Sequence, residues 1–395
     1  VGSEMCIRDR PHTSAGRIPS DKGYRLYVDM LMQEKEQELS EMQEQMLQKA
    51  DKMEQLLKQA ARVLANSTNY ATMVSTPMVN ANKLKFIQLS MVDAEQVLEE
   101  VAHDHADIVF TTSARMHTAC LKVAAQHPKT RILNCSLNAP HPLVRTYYPR
   151  TYEVTYLLGM LAGVMARTDR VGYVAANPVY GIPAAVNAFA QGLKTVRPEA
   201  KVVLRWACLQ EPGKPLDFSD CPDIELFYAC SPFEPTGSAR EYGLCRRMPD
   251  GSIQPVALPV WKWEVFYIGI IRSIFEGTWD SGSSGKAINY WWGFRSDAER
   301  LDYYETLPKG TQQLLDLLEK NLAANEFPIF PAGIFAQGHI PKAPTADTYT
   351  PKELMEMDWL GECVEGSLPR YDQLDVRTLG LLEINGLSSL KETTL

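Results

Sequence analysis

The chain has 395 residues, enough for two or three domains, and its 45% hydrophobic and 22% charged residues are those of an ordinary globular protein rather than a disordered, collagenous or purely coiled-coil one. Its net charge of −8 (40 Lys and Arg against 48 Asp and Glu) gives no global attraction to nucleic acid or anionic lipid, so any DNA contact has to be local. No apolar run approaches the roughly 18–20 residues of a membrane-spanning helix.

Along the chain, Val1–Arg10 (VGSEMCIRDR) has no periodicity, no basic start followed by an apolar core, and resembles a translated adaptor; it is set aside from the fold. From Pro11 to about Leu98 the texture is helical. Leu39, Met42, Met46, Met53, Leu56, Ala60 and Val63 follow a 3-4 spacing, which predicts an amphipathic helix over Gly23–Ala65 with one apolar stripe suited to self-association. Asn66–Asn69 ends it, and Lys83–Leu89 (KLKFIQL) alternates as a strand.

From about Glu99, strands and helices alternate. Asp107–Thr111, Arg131–Ser136, Val171–Ala175, Lys201–Cys208, Ile224–Cys230, Ile253–Pro259 and Ala287–Trp292 read as strands, and Ser113–Gln126, Tyr152–Ala166, Val186–Val196 and Val265–Phe275 as helices. Strands separated by helices predict an α/β fold with a parallel sheet covered on both faces.

In such sheets ligands bind at the carboxyl ends of strands. That rule selects Thr111-Thr112-Ser113, Ser136–Asn138, Ala175–Pro178 and Cys230–Pro232, whose hydroxyls, amides and free backbone N–H groups suit an uncharged polar ligand. Thr112 and Ser113 serve equally as helix N-caps. Among nearby aromatics Tyr147, Tyr148, Trp206, Trp261, Trp263, Trp291 and Trp292 are available for ring stacking or for core packing, and Trp261-x-Trp263 is the best stacking pair if strand alternation puts both on one side. No nucleophile elbow, phosphate loop or zinc-protease motif occurs, His103-x-His105 does not converge, and Asp217, Asp220 and Asp223 read as solvated charges in a Pro-rich loop. Eight cysteines without a C-x-x-C read as free thiols. The expectation is binding without catalysis, cofactor or metal. At the front, Arg17, Lys22 and Arg25 surround Gly16, Pro19 and Gly23, a cationic turn that either contacts DNA phosphates or is simply solvated.

Two resemblances follow. Residues 11–98, through PHTSAGRIPSDKGYRLYVD, LANSTNYATMVSTP and KLKFIQLSMVD, resemble the heat-inducible transcription repressor HrcA, a family with a winged helix-turn-helix and a dimerising GAF-like domain. The resemblance implies DNA contact at a wing formed by Arg17, Lys22 and Arg25, with the recognition helix outside this sequence. Residues 99–395, through DIVFTTSARMHTACLKVAAQHP, YEVTYLLGMLAGVMARTDRVGYVAANP, PVWKWEVFYIGIIRSIFEGTW, INYWWGF and MDWLGECVEGSLP, resemble the basic membrane protein (BMP, PnrA-like) substrate-binding proteins of ABC transporters. This implies a type I periplasmic-binding-protein fold: two Rossmann-like lobes joined by a hinge, with lobe one incomplete and a mainly helical segment in front. It further implies a nucleoside-like or other small polar ligand passed to an ABC permease, with Thr112, Ser113, Tyr147, Asn177, Trp206, Trp261 and Trp263 as contacts. Tyr242–Arg247, where nucleoside binders carry an acidic residue, has none. The compartment is left open.

Overall fold

The computed structural model describes residues 94–137, 141–209, 215–229, 242–281, 289–304, 307–374 and 376–387, together with four short strands before them. The chain divides into two compact units, Val1–Asn66 and Ser67–Leu395. In the first, β1 (Arg8–Asp9) pairs antiparallel with β2 (Ile18–Pro19), so the stretch without periodicity supplies a strand; two residues are too few for any period to be read. The helix expected over Gly23–Ala65 and the cations Arg17, Lys22 and Arg25 lie outside the described residues.

In the second unit, β3 (Thr72–Ser75) and β4 (Lys85–Gln88) form an antiparallel hairpin, and β3 lies against the strand Ile108–Thr111 without joining its ladder. Helix α1 (Ala94–His103) follows, then β5 (Ile108–Thr111), a 3-10 turn, α2 (His117–Gln126), β6 (Arg131–Cys135) and β7 (Val144–Pro149). The chain continues through α3 (Thr151–Met165), β8 (Arg170–Ala175), α4 (Ile182–Val196), β9 (Lys201–Trp206), β10 (Leu226–Ala229), β11 (Gly243–Arg247) and β12 (Ile253–Trp261). Next come α5 (Trp263–Phe275), α6 (Thr278–Ser281), β13 (Asn289–Trp292), β14 (Glu299–Tyr303) and α7 (Lys309–Ala324). The last elements are the pair β15 (Ile334–Ala336) and β16 (Ile340–Lys342), α8 (Pro351–Met355), β17 (Val364–Glu365) and α9 (Val376–Asn385).

Two sheets organise this unit, as the α/β reading expects. Lobe one is a four-stranded sheet in the order β13-β7-β6-β5, parallel throughout. Its core holds Val109, Ile132 and Val144 from the strands and Met116, Cys120 and Val123 from the helical side. Helix α1 packs into the same core through Leu98, Val101 and Ala102, so one continuous helix spans the division at 98/99 where the two resemblances meet.

Lobe two is a seven-stranded sheet in the order β14-β12-β11-β10-β8-β9-β17. Its β10, β8, β9 and β17 are parallel, whereas β11, β12 and β14 are antiparallel. The parallel-sheet expectation fails for these three strands, and between β11 and β12 the reason is geometric. A parallel crossover needs a dozen or more residues, and the short turn from Arg247 to Ile253 can only close a hairpin. Helix α3 is buried on every side from Tyr152 to Gly163, which makes it the central helix of this lobe, and it lies directly on α4.

The Pro-rich loop after β9 is also less solvated than its composition implies. Asp220 makes two hydrogen bonds, 2.8 and 2.7 Å, with the buried guanidinium of Arg205, and Asp223 pairs with Arg170 at 2.8 Å. The reading of both as free charges is corrected: their partners come from β9 and β8, outside any local sequence window.

Candidate functional site between the lobes

At the carboxyl ends of the lobe-one strands sits a buried polar network centred on Asn134 in β6. Its Nδ2 donates to Thr111 Oγ1 (2.8 Å) and to the Ser113 carbonyl (2.8 Å), and its Oδ1 accepts from Ser136 Oγ (2.6 Å). Thr111 Oγ1 in turn donates to the Leu133 carbonyl (3.2 Å). The parallel register of β5 and β6 sets Thr111 directly opposite Asn134. His117, at the start of α2, hydrogen-bonds Asn134 and lies near His141. Burial first, then the neighbouring His141, pushes the His117 pKa down, so this imidazole is neutral at physiological pH; its Nδ1 has no partner among the described residues. The network is uncharged, and its members are selective hydrogen-bonding groups of the kind that fix the orientation of a polar ligand.

Opposite lies the end of β8. Asn177 Oδ1 accepts a long bond from Thr378 Oγ1 in α9 (3.4 Å), and the Tyr180 N–H donates to the Asn385 carbonyl (3.0 Å), so α9 packs over the β8–α4 connection. The same helix touches the 3-10 turn Ala114–Met116 of lobe one. The lobes also meet at Leu137, just beyond β6, and Gly181, just before α4. Gly181 has φ +79°, and a β-carbon there would stand 2.9 Å from Leu137 Cδ1.

Three chain crossings connect the lobes: β7 to α3 at Arg150, β12 to α5 at Lys262, and β13 to β14 through residues 293–298. They are tied to one another. Arg150 donates from its backbone N–H to the Trp292 carbonyl (2.8 Å) and from Nε to the Trp291 carbonyl (2.8 Å), while Trp291 Nε1 donates to the Pro149 carbonyl (3.1 Å). Lys262 donates from its N–H to the Ala298 carbonyl (2.9 Å) and pairs through Nζ with Asp297. Glu153 accepts the Phe294 N–H at Oε2 (3.0 Å) and, at Oε1, Arg150 Nη1 and Tyr152 OH (both 3.3 Å). A β-carbon at Gly293 would lie 2.2 Å from Glu153 Oε2, so only glycine admits the carboxylate there.

Against this geometry the ligand contacts expected from the sequence separate into groups. Thr112 and Ser113 sit half-buried at the lobe-one strand end, and Ser113 Oγ caps the turn by accepting the Arg115 N–H at 3.3 Å. Asn177 is half-buried at the lobe-two strand end. Tyr147 and Trp206 are buried, 1% and 5% exposed, as deeply as the network residues Asn134 and Thr111 at 0%. Tyr147 OH donates to the Thr111 carbonyl (3.1 Å), and Trp206 Nε1 donates to the Ser367 carbonyl (2.9 Å). Trp261 and Trp263 do not share a side, because the chain turns from strand to helix at Lys262. Trp261 packs on the lobe-two core, and Trp263 meets Tyr147 edge to face at 6.0 Å. Ser136 lies in a strand end that the rule selects, whereas Asn134 and His117 escaped it, since Asn134 is one polar letter inside an apolar strand. Among the described residues no group of three or more His, Cys, Asp or Glu could hold a metal ion, and no helix is long and apolar enough to cross a membrane.

A lobe pair with an uncharged polar network at its strand ends is the architecture that the known proteins bear on. Residues 62–208 match the family of ABC transporter substrate-binding proteins, PnrA-like. The chain is 26% identical over 293 residues to a putative ABC transporter glucose-binding protein of Haloferax volcanii, covering 70% of each chain. It is 23% identical over 294 residues to a purine-binding protein of Brucella abortus, covering 70% of this chain and 81% of that one. A separate match, 61% identical over 89 residues, is to the heat-inducible transcription repressor HrcA of Lachnoclostridium phytofermentans; it covers 22% of this chain and 26% of the repressor. The chain thus joins a front similar to the repressor to a remainder similar to substrate-binding proteins, and it spans about a quarter of the length of the repressor it matches.

Proposed function

We propose that the chain binds a small, uncharged polar solute, of nucleoside or purine type, between its two lobes without transforming it, and hands it to an ABC permease. The observation that carries this reading is the network of Asn134, Thr111, Ser136 and neutral His117 at the lobe-one strand ends. It offers amide, hydroxyl and imidazole groups, as the edge of a nucleobase or a sugar requires, and no charge that would select an ion. The purine-binding relative supports the nucleobase end of that range and the glucose-binding relative the sugar end. Thermal unfolding with adenosine, guanosine, adenine and glucose tests it. A binder at 100 times its Kd adds about 2.7 kcal/mol of stability, whereas indifference to the whole panel removes the reading.

A second reading rests on the repressor match alone: DNA contact through Arg17, Lys22 and Arg25, with partner chains recruited by the helix expected over residues 23–65. A gel shift on an inverted-repeat operator, weakening steeply with salt, supports it. No shift at low salt discards it.

A further inference from the structure

The hinge holds a buried carboxyl group with no assigned role. Glu299 opens β14 at the far end of the 293–298 crossing, is 1% exposed, and neither of its carboxylate oxygens has a hydrogen-bond partner among the described residues. A charge so placed is among the most costly arrangements in a protein interior. Its surroundings add to the cost. Glu153 faces it from α3 and Glu319 from α7, and Asp316 and Asp297 surround Glu319. The cations are Arg150, already shared with Glu153, and Lys262, already paired with Asp297. Tyr152 beside Glu153 and Tyr303 beside Glu319 complete the titratable groups. A cavity of about 150 Å³, lined by Tyr152, Glu153, Phe327, Phe330, Tyr349 and Leu354, reaches Glu153 from the side.

We propose that Glu153 and Glu299 are the positioning residues of lobe closure: Glu153 latches the crossing through the Phe294 N–H, and Glu299 is a neutral acid in the closed form that releases its proton to solvent when the crossing opens. Burial, then the charge of Glu153, raises the Glu299 pKa well above the ordinary carboxyl range, with Arg150 opposing only in part. The sign follows. Opening hydrates Glu299 and restores an ordinary pKa of about 4.3, so opening releases the Glu299 proton and this group alone makes it easier by about tenfold per pH unit above that value, until the closed-form pKa is passed. Glu153, whose pKa burial also raises, acts in the same direction. The solute would then be held more tightly in acid than in alkali. This deepens the two-lobed binding reading, but its test needs no ligand, so the two can fail separately.

The experiment is hydrogen exchange of the full chain between pH 5 and 7, each amide rate divided by its intrinsic rate. The Phe294 amide of the wild type should lose at least tenfold in protection over that range while core amides such as Val174 do not. Glu299→Gln and the apolar Glu299→Met should each cut the slope at least by half, the remainder coming from Glu153 and Glu319, whose pKa values burial also raises, and two variants guard against one failing to fold. Three results would overturn the proposal: no slope in the wild type, an equal slope in the wild type and either variant, or a parallel loss at Val174, which would mark global unfolding.

Discussion

Gly159 of α3 lies on the backbone of Phe189 in α4, so close that a β-carbon at 159 would stand 2.0 Å from the Phe189 carbonyl oxygen. The contact is reciprocal: a β-carbon at Gly192 would stand 2.0 Å from the Tyr156 carbonyl oxygen. Because the obstructing atoms are backbone, no rotamer change relieves them. Gly159→Ala and Gly192→Ala should each cost about 1–3 kcal/mol or more, the range for overpacked cores, despite the better helix propensity of alanine. Urea unfolding measures it. A stabilised Gly159→Ala would show that the helices are further apart than described.

Asn134 and Tyr147 are both buried and both bond to the Thr111–Ser113 segment, and the proposed site gives them different roles. Asn134→Ala strands the Ser113 carbonyl and removes the acceptor of Ser136 Oγ, so stability should fall by about 1–3 kcal/mol. Solute affinity should fall at least tenfold with it. Tyr147→Phe removes one buried donor to the Thr111 carbonyl and should cost about 1 kcal/mol while leaving affinity within twofold. Calorimetry on both variants, with whichever solute stabilises the wild type, decides between them. A large affinity loss in Tyr147→Phe alone would return Tyr147 to the site.

Arg205 and Asp220 give a pH dependence of opposite sign to the hinge. The hydrogen bonds from Arg205 hold the Asp220 carboxyl below its usual range. A depressed carboxyl contributes stability that is present above its unfolded pKa of about 3.9 and is lost as pH falls through the folded value. Asp220→Asn should therefore destabilise by about 1.5–3 kcal/mol at pH 7, the range of hydrogen bonds to charged groups, and match the wild type once pH drops below the folded pKa. Thermal unfolding from pH 2 to 7 follows the convergence. A constant gap at every pH would mean that the loss is steric.

The alternation of strands and helices was legible where burial is apolar. The strands read over Asp107–Thr111, Arg131–Ser136 and Val171–Ala175 lie within one residue of the observed β5, β6 and β8. Strand β7 (VRTYYP) escaped because Arg145 reads as surface, whereas the fold buries it over the Trp279 ring, 3.5 Å from its centroid, with hydrogen bonds to the Trp279 carbonyl and Tyr290 OH. Strand β11 carries a register shift between Leu244 and Cys245 that spoils alternation, and the edge strand β14 spends Arg300 and Asp302 on a surface ion pair. The strand-end rule picked Thr112, Ser113 and Asn177, which the fold leaves half-buried beside the ends of β5 and β8. It missed Asn134 and Glu299 because what singles them out is the absence of water around them, a property of the assembled lobes rather than of neighbouring letters.

Helix α1 has a practical meaning for anyone wishing to cut this chain in two. Leu98 has no exposed surface and shares its face with Val101 and Ala102, all inside the lobe-one core. Severing the polypeptide at 98/99, the boundary expected from the sequence, would leave half a helix and an open socket in that core. Any separated piece meant to keep both lobes intact has to begin ahead of Ala94, and so carries a few repressor-like residues with it.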